Sequence, residues 1–176
     1  ADDREFTAYH SADGGPDHLV KQALAGGART TLFADPAGSV EDLMYGARPG
    51  LPFAASTDVG IPKPRYFDPA SEDARLPQLI SAQFPGDYVD FINFTEDGRT
   101  LLFMVRSDRD PGSYFLFDRA TMKADFLFSV LGKIVPQSMA ERRPIAFKAR
   151  DGVELHGYMT MPKHAAGTRL PMVVLP

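Results

Sequence analysis

The sequence predicts a mainly β protein: a partial β-propeller of about two blades of antiparallel strands with one short helix, followed by the first hairpin and strand of an α/β domain. Three observations predict this fold class. Short apolar segments alternate with turn residues over residues 1–130, and a group of three segments recurs at a fixed offset. The chain then ends in a continuous apolar run, which is typical of a strand buried on both faces.

The recurring group consists of three candidate strands separated by turns rich in Gly, Asp, Ser and Pro. The first copy comprises Glu5 to His10, Leu19 to Leu24 and Arg29 to Phe33, and the second comprises Leu101 to Arg106, Tyr114 to Asp118 and Asp125 to Val130. Ser11 aligns with Ser107 and Leu19 with Phe115 at the same offset of 96 residues. That offset is twice the roughly 40 to 50 residues of one four-stranded propeller blade.

The remaining strand candidates fit the same interpretation. Tyr88 to Phe94 supplies the leading strand of the second copy, and Val40 to Tyr45, Pro52 to Thr57 and Arg65 to Asp68 fit a middle blade. Four strands in up-and-down order make a blade. The first copy lacks a leading strand, so we expect a chain that begins inside a larger propeller. A β-sandwich, whose loosely similar strands would also align, is the alternative for the repeat.

One helix interrupts the strands. Ser71 is a candidate N-cap, and Glu72 and Asp73 suit the positive end of the helix dipole. Because proline is favourable only in a first turn, Pro77 predicts a short helix that starts near Arg75. Its apolar positions are expected to form a packing face.

The pattern changes after Val130. Residues 131–143 show no alternation and predict a linker between domains. Pro144 to Ala149 and Val153 to Met161 then flank Arg150-Asp151-Gly152 as a β-hairpin, and Met172 to Leu175 forms the terminal apolar run. We expect that run to be a buried strand of a domain cut short at residue 176.

Three segments together resemble the prolyl oligopeptidase family of serine peptidases, and its acylaminoacyl-peptidase and dipeptidyl-aminopeptidase branch most of all. They are the blade segment Ser107 to Asp118, the hairpin Pro144 to Pro162 and the run Leu170 to Pro176. The resemblance covers essentially the whole chain. It implies C-terminal propeller blades in residues 1–130, a linker in 131–143 and the truncated start of an α/β-hydrolase domain in 144–176.

The resemblance implies a full-length enzyme that hydrolyses short peptides by acyl transfer through a Ser-His-Asp triad, with the propeller restricting access. In that family the serine lies in a G-x-S-x-G turn, and this chain contains no such motif. We therefore predict no catalytic, cofactor-binding or metal-binding residue in the chain, no cofactor, and no hydrolysis by the 176 residues alone.

The other candidates for chemistry have simpler explanations. The four histidines, His10, His18, His156 and His164, lack metal-ligand spacing, so no metal site is predicted. Asp108 and Asp110 precede Pro111-Gly112, where acidic side chains usually close turns. The Asp-Gly pairs at 13, 97 and 151 are hairpin signals. The aromatic residues of residues 91–128 are expected to be core rather than a binding surface.

Composition limits the partners. A net charge of −4 with interspersed signs predicts no nucleic-acid partner, and no apolar run is long enough to predict a membrane span. Zero cysteines exclude disulfides and thiolate sites without deciding the compartment. Peptide substrates of the full-length protein are the expected partners, and self-association through exposed strands is expected of the truncated chain.

The alternative function is a non-enzymatic propeller that serves as a binding module. The two functions predict different continuations of the gene beyond Pro176. A His-Gly-Gly-Pro-like loop and a later G-x-S-x-G motif would indicate the peptidase, whereas further blades would indicate the binding module.

Overall fold

The computed structural model describes residues 4–11, 14–47, 50–57, 59–163, 167 and 169–175. Strand accounts for 43% of the structure and helix for 8%, so the mainly β prediction is confirmed. The strands form three antiparallel sheets and a separate hairpin.

Each sheet pairs strands that are consecutive in the chain. The first sheet has the order β1-β2-β3, the second β4-β5-β6 and the third β10-β9-β8-β7. Their bounds are β1 Glu5–Ser11, β2 Asp17–Ala23, β3 Thr30–Phe33, β4 Val40–Met44, β5 Ala54–Thr57, β6 Arg65–Tyr66, β7 Tyr88–Phe94, β8 Thr100–Arg106, β9 Ser113–Asp118 and β10 Lys123–Ser129. The meander β8-β9-β10 repeats the strand order of β1-β2-β3, as the offset of 96 residues predicts.

Among the described residues, three apolar clusters pack the sheets and the helix together. Leu19 and Phe33 of the first sheet pack with Val40 and Ala55 of the second. A second cluster joins strands β4 and β5 to β7, and a third lies between the helix and the inner face of the third sheet. Strand β8 shows why this face is buried: alternate residues Leu101, Phe103 and Val105 are buried, whereas those between them are half-buried.

Helix α1, Glu72–Ser81, fills the space between the second and third sheets. The Ser71 side chain accepts a hydrogen bond from the Ala74 backbone at 3.3 Å and caps its first turn. The predicted start near Arg75 is therefore wrong, and Pro77 lies inside the helix. Because Pro77 is fully buried against its neighbours, packing offsets the hydrogen bond that proline cannot donate.

The segment after the third sheet is only partly irregular. A 3-10 turn covers Pro136–Ser138, and β11, Arg142–Lys148, begins two residues before the predicted strand. It pairs with β12, Glu154–Thr160, in a hairpin whose turn contains Gly152 at φ 89°.

The terminal run does not form the expected strand. Residues 169–175 are irregular, and the side chains of Met172 to Leu175 are 69 to 88% exposed. A strand needs a neighbour to satisfy its backbone groups, and the described residues place none beside this run. The described residues thus add no strand after the β11-β12 hairpin. Of the turn predicted before the run, residues 164–166 and 168 lie outside the described residues, as does Pro176.

Candidate functional site

The described serines and histidines do not form a nucleophile and base pair. Within the described residues, no serine hydroxyl is hydrogen-bonded to a histidine. Ser107, for example, accepts hydrogen bonds from the backbone of Arg109 and Asp110 at 3.3 and 3.2 Å, as a turn residue. Without a base to take the hydroxyl proton, such a serine is not activated as a nucleophile.

Two of the histidines come together, although their sequence spacing gave no sign of it. His10 and His18 are directly opposed across β1 and β2. An Arg29 guanidinium nitrogen lies 3.0 Å from His10 Nδ1, and since arginine only donates, it brings a positive charge to the place where a cation would bind. The described residues contain no group of three or more metal-ligating side chains. His164 lies outside them.

The turn after β8 is built by its acidic residues, as predicted, with one addition. Asp110 accepts a hydrogen bond from the Gly112 backbone at 2.9 Å, which closes the turn locally. Asp108 instead accepts one from the Arg142 backbone at 2.6 Å, 34 residues along the chain. Burial, followed by the nearby Asp110 carboxylate, raises the pKa of Asp87 at the base of this turn.

A second long-range contact joins the hairpin to the second sheet. The Tyr158 hydroxyl donates to the Gly60 carbonyl at 2.8 Å, across 98 residues. Two open cavities flank these contacts. One, of about 430 Å³, is lined by the turn after β8, Ile134, Met139 and Arg142, and the other, of about 260 Å³, is lined by Gly60 and the hairpin.

A polar cluster lies where β7 meets β4. Tyr88 donates to Asp42 at 3.3 Å, and burial raises the pKa of Tyr88 to about 12. The Arg106 guanidinium lies 4.6 Å from the centre of the Tyr88 ring and 3.8 Å from the Asp90 carboxylate. Burial raises the pKa of Asp90, the Arg106 charge opposes this effect, and the Asp42 carboxylate adds to it. The cluster links two sheets but has no nucleophile.

This cluster makes a testable prediction about pH. Because the folded protein raises the pKa of Asp90 above its usual 3.8, ionised Asp90 weakens the fold at neutral pH. This loss of folding stability is absent below pH 3.8, where Asp90 is protonated in the folded and the unfolded protein, and it is complete above the raised pKa. We expect Asp90→Asn to raise the melting temperature at pH 7, and we expect the gain to vanish in thermal melts below pH 3.8.

Asp118→Asn is the control, because it should change the melting temperature at pH 7 in the opposite direction. Hydrogen bonds from the Thr121 and Ala120 backbones lower the pKa of Asp118. Its carboxylate therefore stabilises the fold above pH 3.8, and this stabilisation is lost as the pH falls through the lowered pKa. The substitution should lower the melting temperature at pH 7. For Asp90, the contradicting result is a loss of stability in Asp90→Asn that is equal at every pH, because a raised pKa of Asp90 requires an effect that changes with pH.

One curated protein is similar in sequence to most of this chain. The chain is 28% identical over 159 residues to dipeptidyl aminopeptidase BIII of Pseudoxanthomonas mexicana, covering 86% of this chain and 23% of that protein. No protein-family model matches the chain. The described part contains no helix with the length and apolar character needed to cross a membrane.

The search of solved structures found two further matches, of which the first shares the fold of this chain. A prolyl endopeptidase studied for the role of inter-domain dynamics in catalysis and specificity matches with a TM-score of 0.52 at 14% identity, covering 91% of this chain and 25% of that one. Prolyl oligopeptidase B of Galerina marginata matches with a TM-score of 0.31 at 10% identity, covering 92% and 30%. The chain thus spans about a quarter of the length of the first relatives, and it is related to the peptidases of the prolyl oligopeptidase family.

Proposed function

We propose that this chain is a non-catalytic part of a serine peptidase that hydrolyses short peptides by Ser-His-Asp acyl transfer. The observation that carries the proposal is the sequence similarity to a dipeptidyl aminopeptidase over 86% of the chain. The similar fold of a prolyl endopeptidase supports it. The catalytic residues belong to the part of the enzyme outside residues 1–176, since the sequence has no G-x-S-x-G motif.

Within that enzyme, we assign residues 1–130 to the C-terminal blades of the propeller, 131–143 to the linker and 144–176 to the start of the α/β-hydrolase domain. Three consecutive antiparallel sheets support the first assignment: an apolar cluster joins the first to the second, and a cluster that includes Ala74 of helix α1 joins the second to the third. The third sheet has the four up-and-down strands of a complete blade. The separate β11-β12 hairpin supports a change of domain after the linker.

The proposed role of the chain is to support the catalytic domain and to restrict which peptides reach its active site. Its sheets form one wall of the chamber that admits short or unstructured peptides, and its hairpin begins the catalytic sheet. The proposal assigns to this chain neither the nucleophile that attacks the peptide carbonyl nor the base that takes its proton. Its residues therefore influence catalysis through the access of the substrate and the position of the catalytic domain.

The test compares the full-length protein with the 176-residue chain on chromogenic dipeptide substrates. We expect hydrolysis by the full-length protein alone, and we expect a large folded protein substrate to resist it. The proposal fails if the 176-residue chain turns over peptide and a substitution within residues 1–176 abolishes that turnover. It also fails if the full-length protein has no peptidase activity.

We further propose that the isolated chain self-associates through β10. This strand lies at the edge of the third sheet, and Phe126, Leu127 and Phe128 in it are 41 to 58% exposed. An unpaired apolar edge is a template for pairing with a second copy. Light scattering over a concentration series should therefore show a molar mass that rises with concentration.

The edge can be tested by placing a charge on it. Leu127→Lys should keep the chain monomeric, because a charged edge strand resists pairing. Leu79→Lys, at a leucine of similar exposure on helix α1, should associate as the wild type does. A compact monomer at all concentrations of the wild-type chain would contradict the proposal.

A further inference from the structure

The first sheet has a face that is not packed on the second sheet. Leu19 packs in the cluster with the second sheet, and alternate residues of a strand point to opposite faces. In the register of β1 and β2, Ala8 is opposite Val20 and His10 is opposite His18. These four residues therefore lie on the face away from Leu19, which we call the outer face.

The Arg29 side chain crosses the outer face from the residue just before β3. Its Nε donates to Gln22 Oε1 on β2 at 3.2 Å, and one of its terminal nitrogens donates to His10 Nδ1 on β1 at 3.0 Å. Val20 lies between these two acceptors in the register, and it is 3% exposed. We attribute the burial of Val20 to the arginine side chain that lies over it.

The contacts of Arg29 leave its positive charge unpaired. A glutamine oxygen carries no formal charge, and an imidazole nitrogen accepts only where it is unprotonated. Among the described residues, no carboxylate contacts Arg29. Glu5 lies on the opposite face of the sheet, where it pairs with Lys21 at 3.2 Å. Of the five N–H groups of a guanidinium, two are used in these contacts and three remain.

The contact with Arg29 also fixes the proton of His10. Because arginine only donates, His10 Nδ1 is an acceptor, and the neutral ring then carries its proton on Nε2. His10 thus offers an N–H donor and no free lone pair for a metal ion. The outer face therefore presents donors from His10 and Arg29 together with one positive charge, and such a group suits an anion.

An apolar surface lies beside these donors. Phe6 is opposite Gln22 on the outer face and is 39% exposed, and the half-buried Ala8 is next to it on the same face. Gln22 holds the arginine in place without a ligand, since its amide nitrogen donates to the Gly27 carbonyl at 3.0 Å and its oxygen accepts from Arg29. A donor that is already in place binds more tightly than one that must be ordered on binding.

We propose that Arg29 and His10 form a binding site for a carboxylate group that carries a short apolar body. One unpaired positive charge matches one carboxylate, and the fork of guanidinium N–H groups matches its two oxygens. The apolar body lies on Phe6. The carboxylate comes from one of two sources, a small free carboxylic acid or an acidic side chain of the longer protein packed on the outer face. The inference rests on contacts of this chain and does not depend on the proposed peptidase activity.

Titration with sodium butyrate, followed by nitrogen NMR of the imidazole and guanidinium groups, tests the site. At pH 8, above the ordinary titration range of histidine, we expect saturable shifts at His10 and Arg29. Acetate, which lacks two methylene groups of butyrate, should bind about threefold more weakly. Sodium chloride at the same ionic strength should produce no saturable shift. The unliganded protein should show His10 with its proton on Nε2.

Two variants separate this site from a general attraction of anions. Arg29→Gln should weaken butyrate binding at least about tenfold, because a charged donor is lost. Lys21→Gln is the matched control, since it removes a positive charge from the opposite face of the same sheet, and it should leave the affinity unchanged. The proposal is overturned by equal losses in the two variants, by the absence of a saturable shift with butyrate, or by His10 with its proton on Nδ1. The last two results are read in the unsubstituted protein, so they do not depend on the folding of a variant.

Modification by phenylglyoxal, which reacts with arginine, distinguishes the two sources of the carboxylate. In the 176-residue chain, butyrate at about twice its Kd should slow the modification of Arg29 about threefold and leave that of the exposed Arg150 unchanged. In the full-length protein, protection of Arg29 only when butyrate is added indicates a free carboxylic acid, and protection without butyrate indicates an acidic side chain of the longer protein. Modification of Arg29 in the 176-residue chain at the same rate with and without butyrate contradicts the site.

Discussion

Replacement of Phe103 by alanine should destabilise the protein by about 3 to 5 kcal/mol, the usual cost of a large cavity in a core. Phe103 is fully buried on the inner face of the third sheet. Its ring stacks on Phe115 at 5.2 Å and lies 6.1 Å from Phe84, and Ile80 of helix α1 belongs to the same cluster. Neighbours held by both a sheet and a helix cannot collapse into the space.

The measurement is the free energy of unfolding from urea titration. Phe147→Ala provides the matched control, since the same side chain is 54% exposed on the hairpin. Its loss should change stability by less than about 0.5 kcal/mol. If Phe103→Ala and Phe147→Ala lowered the free energy of unfolding by similar amounts, helix α1 would not pack on the third sheet as described.

The second large effect is expected at Gly112, the last residue of the turn between β8 and β9. Its φ of 133° is a conformation that other residues rarely adopt. A Cβ atom there would lie 2.7 Å from Met104 Sδ. Gly112→Ala should therefore destabilise the protein by about 1 to 3 kcal/mol, from backbone strain and from the displacement of Met104.

Gly157 is the matched control for this substitution. It lacks a positive φ, and an added Cβ would meet its nearest neighbour, Ile145, at 3.9 Å. Gly157→Ala should be close to neutral in the same urea titration. Adding Met104→Ala to Gly112→Ala should recover only part of the loss, because the backbone strain remains. A neutral Gly112→Ala would show that the turn does not adopt the described conformation.

Most strands could be predicted because their signals are local. Alternation in Leu101 to Arg106 follows directly from a sheet with one buried face, and the offset of 96 residues reflects two meanders of the same order. The predicted strand Tyr88 to Phe94 has the same bounds in the structure. Turn residues such as Asp110 accept hydrogen bonds from the backbone two positions away, so the sequence also predicts their role.

The features that the sequence does not predict all depend on distant parts of the chain. Helix α1 starts before Arg75 because burial of Pro77 outweighs its local preference. The pairing of His10 with His18 depends on the register of two strands, and the hydrogen bond of Asp108 depends on a residue 34 positions away. The terminal run has the composition of a buried strand, but composition alone supplies no neighbouring strand to pair with.

Active-site labelling can test whether this chain is a non-catalytic part of a serine peptidase, as we propose. The full-length protein would be treated with a fluorophosphonate, which reacts with an activated serine, and the labelled peptide identified by mass spectrometry. We predict one labelled serine, within a G-x-S-x-G motif outside residues 1–176. The absence of a labelled serine, or a labelled serine within residues 1–176, would refute the proposed function.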